Sequence, residues 1–216
     1  MRLIIAIDGP AAAGKGTLAR RLAAALSLPH LDTGSLYRAT GRLVLDAGGD
    51  PEDAVAAVAA ARRLSVADLA RSDLRGPAAD AASSAVARHA SVRDALLAFQ
   101  RGFPGEIGAV LDGRDIGTVV FPEAPVKLFV TADPAARARR RWEELGRAVP
   151  LEAVEAEMRT RDAQDRARGA APLRQAQDAV LLDTTSLDAY EVFGAALRVV
   201  AEMESGLAAA RSRAAG

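Results

Sequence analysis

Leu3-Ile4-Ile5-Ala6-Ile7-Asp8-Gly9-Pro10-Ala11-Ala12-Ala13-Gly14-Lys15-Gly16-Thr17 joins a short aliphatic run to a glycine-bearing turn that closes on a lysine. Five consecutive apolar residues bounded by Asp-Gly-Pro suit a strand buried on both faces, not an amphipathic one. Past that strand, the glycines allow successive backbone amides to bend inward. The start of a helix adds positive potential, and Lys15 completes a cradle for phosphate oxygens. From Thr17 to Leu26 the spacing predicts a helix with Leu18, Leu22, Ala25 and Leu26 on one face.

Similar short apolar runs recur at Pro29 to Leu31, Ala109 to Leu111, Val126 to Val130 and Ala179 to Leu182, separated by Ala-, Leu- and Arg-rich segments with helical spacing. That alternation predicts an α/β fold, a parallel five-stranded sheet flanked by helices. From about Ala39 to Ala90 the rhythm breaks, and the chain reads as an inserted helical lobe. Inside it, Asp50-Pro51-Glu52-Asp53 predicts a helix start with Asp50 as the cap and Pro51 in the first position. The Ala- and Arg-rich tail, residues 205–216, is expected to extend the last helix or to fray, with no function assigned.

A chain of 216 residues with 28 basic and 28 acidic side chains fits one domain with an insertion and carries no global field. Nucleic acid and anionic membranes are therefore not expected partners. The absence of cysteine excludes disulfides, thiolate metal sites and thiol nucleophiles, and two isolated histidines argue against a histidine metal centre. Chemistry must come from Lys, Arg, Asp and backbone amides. Without a basic leader, a cleavage site or an apolar stretch of spanning length, the chain is expected to be soluble and cytoplasmic. Lacking an obvious apolar stripe, it is expected to be a monomer.

Two further features bear on phosphate chemistry. The run Ala109-Val110-Leu111 ends on Asp112-Gly113-Arg114-Asp115, which places Asp112 at the end of a strand beside the cradle. There it can orient Mg²⁺ or its water shell while Thr17 supplies a hydroxyl, with Lys15 on the β and γ phosphates of ATP. Gly16 separates the lysine from Thr17, whereas the common pattern has the hydroxyl residue next to the lysine. Gly-Lys-Gly-Thr resembles the P-loop of nucleoside monophosphate kinases, although Ala12 stands where related cradles often have glycine.

Three more segments extend the likeness: Leu31-Asp32-Thr33-Gly34-Ser35-Leu36-Tyr37-Arg38; Asp112-Gly113-Arg114-Asp115-Ile116-Gly117-Thr118-Val119-Val120-Phe121-Pro122; and Arg161-Asp162 through Asp165-Arg166-Ala167-Arg168 to Ala171-Pro172-Leu173. In order, and with the P-loop, they resemble bacterial cytidylate kinase over nearly the whole chain. The resemblance implies a P-loop kinase core over about 1–38 and 94–204, an acceptor-binding insertion over about 39–93 and a short lid over about 137–150. It implies transfer of the ATP γ-phosphate to CMP and dCMP. Arg38, Arg114 and Arg168 would hold the acceptor phosphate, Arg161 and Asp165 would lie around the sugar and its phosphate, and Asp32, Thr33 and Tyr37 would line the same site. Ser84, Arg93 and Asp115 would meet the base, with Ser83 a plausible substitute for Ser84. On that reading Asp115 accepts from the cytosine amino group while Arg93 donates to N3 and O2, so UMP is the poorer acceptor.

Arg137, Arg140 and Arg141 follow Asp133-Pro134 at three- and four-residue spacing and resemble the family's lid arginines, expected to share a face and to close on phosphates. One departure concerns Leu64 to Pro77, which is too short and too poor in β-branched residues for the small antiparallel sheet found there in many relatives. The nearest rival is a P-loop kinase for UMP, AMP or a metabolite hydroxyl. A nucleotide switch is a more distant one, and the Asn-Lys-x-Asp element of GTPases does not occur.

Overall fold

Strand β1, Leu3–Asp8, is buried at every residue after Leu3. Its aliphatic side chains have no polar face to turn to water, so it takes a neighbour on each side. The computed structural model describes residues 2–214, apart from the side chains of residue 204 and residues 206–214. It adds β2 (His30–Asp32), β3 (Gly108–Gly113), β4 (Val126–Thr131) and β5 (Val180–Asp183). All five expected runs are strands, joined in one parallel sheet of order β2-β3-β1-β4-β5. The order reverses around β1, and in such sheets ligands sit beyond the carboxyl ends of the strands at that point. Asp8 and Asp112, at those ends of β1 and β3, are both buried.

Eight α-helices complete the described residues: α1 (Lys15–Leu26), α2 (Thr33–Asp46), α3 (Ala54–Arg63), α4 (Pro77–Val86), α5 (Ala90–Gly102), α6 (Pro134–Glu144), α7 (Leu151–Ala167) and α8 (Ala189–Ala214). Ile5, Ile7, Val110, Val126, Leu128 and Val130 of the sheet pack with Leu18 and Leu22 of α1 and with Val192, Ala196 and Val200 of α8. Burying each large aliphatic side chain contributes roughly 1.5–3 kcal/mol, so this cluster fixes α1 and with it the turn that precedes it. Ala25, expected on the buried face of α1, is exposed, and Ala19 and Ala23 take that place.

The chain divides into two compact units, residues 1–31 with 104–216, and residues 32–103. The second is entirely helical apart from its first residue and its turns. Helices α2 and α4 approach so closely that a Cβ on Gly41 would stand 2.8 Å from Ala82 Cβ. Among the described residues no strand lies between Asp32 and Gly108, and one 3₁₀ segment, Val66–Ala70, occupies the stretch expected to lack a sheet. The helix start foreseen at Asp50 comes later. Asp50 instead closes a turn, accepting from the amide of Glu52 at 2.9 Å, and Asp53 caps α3 by accepting from the amide of Val55 at 2.8 Å. At the far end, α8 carries the backbone through Ala214, and residues 215–216 of the tail lie outside the described residues.

Candidate active site

Beyond β1 the chain turns sharply at Gly9, where a Cβ would stand 1.9 Å from the carbonyl oxygen of Val130 on β4. Only hydrogen fits there. Ala12 at φ +56° and Gly14 at φ +92° then take left-handed conformations that curl the loop into α1. Gly14 occupies the N-cap without a side-chain acceptor for the first-turn amides of α1, which leaves the positive helix end directed at the turn. Lys15 is buried and its Nζ donates to the Pro10 carbonyl at 2.7 Å. Its charge therefore lies inside the loop formed by Gly9, Pro10, Ala11, Ala12, Ala13, Gly14, Gly16 and Thr17.

The loop is braced from outside. Thr184, just past β5, donates its hydroxyl to the Ala13 carbonyl at 3.1 Å, and Arg137 on α6 donates to the Ala11 carbonyl at 3.2 Å. Beside it lies a cavity of about 350 Å³, lined by Ala12, Gly14, Thr17, Arg140, Thr184 and Val192 among others.

Asp112 closes the site from β3. Its Oδ1 is 2.7 Å from His30 Nε2, and its Oδ2 lies 3.9 Å from the point a Cβ on Gly16 would occupy. The carboxylate thus stands against the first turn of α1, where the Thr17 hydroxyl accepts a long contact of 3.4 Å from Arg20. Among the described residues no three His, Cys, Asp or Glu side chains gather to cage a metal. One buried carboxylate and one hydroxyl fit Mg²⁺, a hard ion that keeps most of its coordination for water and phosphate oxygens.

Asp8 is a buried neighbour of the cradle that the sequence reading passed over. Its carboxylate accepts from the amides of Ile116 at 2.8 Å and Gly117 at 2.7 Å, in the π-helical turn Ile116–Val120 that follows buried Asp115. Burial pushes its pKa up to about 6, against the two amide bonds, with the Asp115 charge adding to the rise. A carboxylate before a glycine turn reads simply as punctuation, and its partners lie more than a hundred residues away. Thr184 was passed over for the same reason, although its position after a parallel strand was a usable signal.

Arg114 and Arg168 grip one nearly inaccessible carboxylate. Arg114 Nε is 2.7 Å from one oxygen of Asp165 and an Arg168 terminal nitrogen is 2.5 Å from the other. Burial acts to raise the Asp165 pKa, but the charges of Arg114, Arg168 and Arg161 outweigh it and hold the carboxyl below its ordinary value.

The three arginines expected on a lid have three different sets of partners. Arg137, buried in full, forms a two-pronged pair with Asp162 at 3.2 and 2.6 Å and also donates to the Ala132 carbonyl. Arg140 donates to the hydroxyl and carbonyl of Thr184 at 2.9 and 2.6 Å. Arg141 pairs with Glu144 at 3.3 Å. Asp133 caps α6 by accepting from Ala135 and Ala136.

In the helical unit, Arg38 pairs with Asp32 at 2.5 Å, and its Nε is buried with no hydrogen-bond partner. Gly34 makes room for that pair, since a Cβ there would meet Arg38 at 2.9 Å and Asp32 at 3.0 Å. Thr33 and Tyr37 are buried close by in the chain, and the Arg93 guanidinium lies 5.5 Å from the Tyr37 ring centre. Ser84 is half-buried and Ser83 buried. Asp32, Thr33, Tyr37, Arg38, Ser84 and Arg93 therefore belong to one compact unit, and Arg114, Asp115, Arg161, Asp165 and Arg168 to the other.

Among solved structures, a gluconokinase from Sinorhizobium meliloti is similar at TM-score 0.53 and 14% identity, covering 96% of this chain and 97% of its own. TT1252 from Thermus thermophilus is similar at TM-score 0.50 and 24% identity, covering 93% and 97%. At such identities the likeness speaks for the fold alone. Sequence relatives are much nearer. The cytidylate kinase of Granulibacter bethesdensis is 62% identical over 93% of this chain and 97% of its own length, and that of Acidiphilium cryptum is 60% identical over 92% and 95%. Residues 5–202 match the family model described as cytidylate kinase, and with a lysine-filled cradle on a β2-β3-β1-β4-β5 sheet this chain belongs to the cytidylate kinase family.

Proposed function

We propose that the protein transfers the γ-phosphate of ATP to CMP and dCMP, yielding CDP and dCDP. The observation that carries this reading is the Arg114–Asp165–Arg168 cluster. It begins two residues beyond Asp112, so guanidinium groups for a second phosphate stand on the same strand end as the metal-side carboxylate. A phosphate oxygen of the acceptor attacks the γ-phosphorus while the bond to the β-bridging oxygen breaks, releasing ADP. That oxygen is already anionic near neutral pH, so no general base is needed, and the protein's task is alignment and neutralisation of charge.

Lys15 and the first-turn amides of α1 hold the donor phosphates. Thr17 and Asp112 would hold Mg²⁺, which would supply charge neutralisation for the donor phosphates. Arg140, which lines the cavity beside the cradle, and Arg141 serve transferred-phosphate charge, whereas Arg137 acts through the cradle as a brace. Arg38, Arg114 and Arg168 hold the acceptor phosphate, with Arg161 and Asp165 about its sugar and Asp32, Thr33 and Tyr37 lining the pocket. Asp115, Arg93 and Ser84 read the cytosine edge.

The same reading takes the enzyme as a cytoplasmic monomer of pyrimidine nucleotide metabolism, testable by gel filtration and fractionation. No helix among the described residues is long and apolar enough to cross a membrane. A coupled assay for ADP release with CMP, dCMP, UMP and AMP tests the activity, with Lys15→Ala as the inactive control. UMP or AMP turning over faster than CMP defeats the proposal.

A further inference from the structure

His30 lies on β2, beside β3 in the sheet, and reaches across to Asp112. Both side chains are largely withdrawn from water, at 18% and 8% exposure. An ionised carboxylate can only accept, so the imidazole carries its proton on Nε2 at this 2.7 Å contact. The two oxygens of Asp112 thereby become inequivalent. Oδ1 is tied to the sheet through His30, and Oδ2 is left facing Gly16 on the first turn of α1. A carboxylate on a free χ2 would exchange the two oxygens, and a fixed donor on one of them removes that freedom. Edge-strand cohesion does not account for the contact, because the backbone already bonds there, the Val110 amide donating to the Pro29 carbonyl at 2.9 Å.

We propose that His30 is a positioning residue, holding the Asp112 carboxylate with Oδ2 toward the phosphate cradle and so setting how tightly the divalent cation is held with the donor nucleotide. This rests on the reading of Asp112 as the metal-side carboxylate. Partners that orient a ligand group from behind typically change metal affinity by about 10–100-fold when removed. Here the carboxylate faces an ion that phosphates and water also hold, which favours the low end of that range.

The test is a Mn²⁺ titration followed by electron paramagnetic resonance, with adenylyl imidodiphosphate as the donor analogue. His30→Leu is expected to weaken Mn²⁺ in the ternary complex about tenfold, while binding of the analogue without cation stays unchanged. His30→Gln, which places an amide donor where Nε2 stood, restores most of the affinity. Asp112→Asn weakens Mn²⁺ by itself, and adding His30→Leu to it brings no further loss. The imidazole ¹⁵N spectrum of the wild-type protein shows the Nε2-protonated form, a readout that needs no folded variant. Unchanged Mn²⁺ affinity in His30→Leu, an additive loss in the double variant or an Nδ1-protonated ring each overturns the inference. If Asp112→Asn also leaves Mn²⁺ affinity unchanged, the fault lies with the underlying reading of Asp112, and both fall.

Discussion

Gly117 donates its backbone amide to the carboxylate of Asp8 at 2.7 Å, tying the last residue of the first strand to the turn that follows Asp115. A Cβ on Gly117 would stand 3.3 Å from that carboxylate and 3.2 Å from the Lys127 side chain. The residue next to the donor cradle is therefore fixed to the segment assigned to the acceptor base.

Asp8 makes stability depend on pH. Its folded-state value of about 6 lies above the ordinary 3.8, so the native chain holds this proton more tightly than the unfolded chain. The contribution is complete below the unfolded value and is lost as pH rises through about 6. The shift corresponds to roughly 3 kcal/mol. In urea melts, the stability of wild type relative to Asp8→Asn should fall by roughly 2.5 kcal/mol between pH 4 and pH 7.5. A difference that does not vary with pH contradicts the burial of this carboxylate.

Arg137→Ala should destabilise by about 3–5 kcal/mol, because it leaves Asp162 buried without its cation. Arg141→Ala, which removes a pair with the exposed carboxylate of Glu144 at 3.3 Å, should cost less than Arg137→Ala. Thermal melts of both variants separate a brace from a surface charge, and equal losses would contradict the distinction.

Ala12→Gly should stabilise. Alanine at φ +56° carries about 1–2 kcal/mol of left-handed strain, against roughly 0.4–1 kcal/mol of added unfolded-state entropy for glycine. A net gain of about 0.5–1 kcal/mol follows, readable as a higher Tm, and a lower Tm refutes it.

Asp115→Ala should chiefly erode selection for cytosine. Losing the acceptor for the exocyclic amine forfeits about 1–3 kcal/mol of discrimination. The ratio of kcat/KM for CMP over UMP should then drop by about 5- to 150-fold. An unchanged ratio removes Asp115 from the base-reading set.

The strands were legible because each is an aliphatic run between turn residues, and the cradle because Gly14-Lys15-Gly16-Thr17 follows such a run. Short-range rules worked less well where two residues competed for one role. Asp50 and Asp53 both suit a helix cap, and Pro51 favoured the wrong one, because a turn closed by Asp50 uses the same residues. Long-range pairing was not legible at all. Nothing local to His30 points to Asp112, nothing near Asp8 points to Gly117, and the helical spacing of Arg137, Arg140 and Arg141 names neither Asp162 nor Thr184 as a partner. Periodicity describes which side of a helix a residue occupies, while the tertiary neighbour decides what its guanidinium holds.

Because the Val130 carbonyl fills the space a side chain at residue 9 would need, the cradle's entrance is closed to mutational exploration. Directed evolution toward another phosphate donor would find no tolerated variants at that codon. Successful libraries should instead accumulate changes along the cavity wall at Leu187, whose side chain is partly in water.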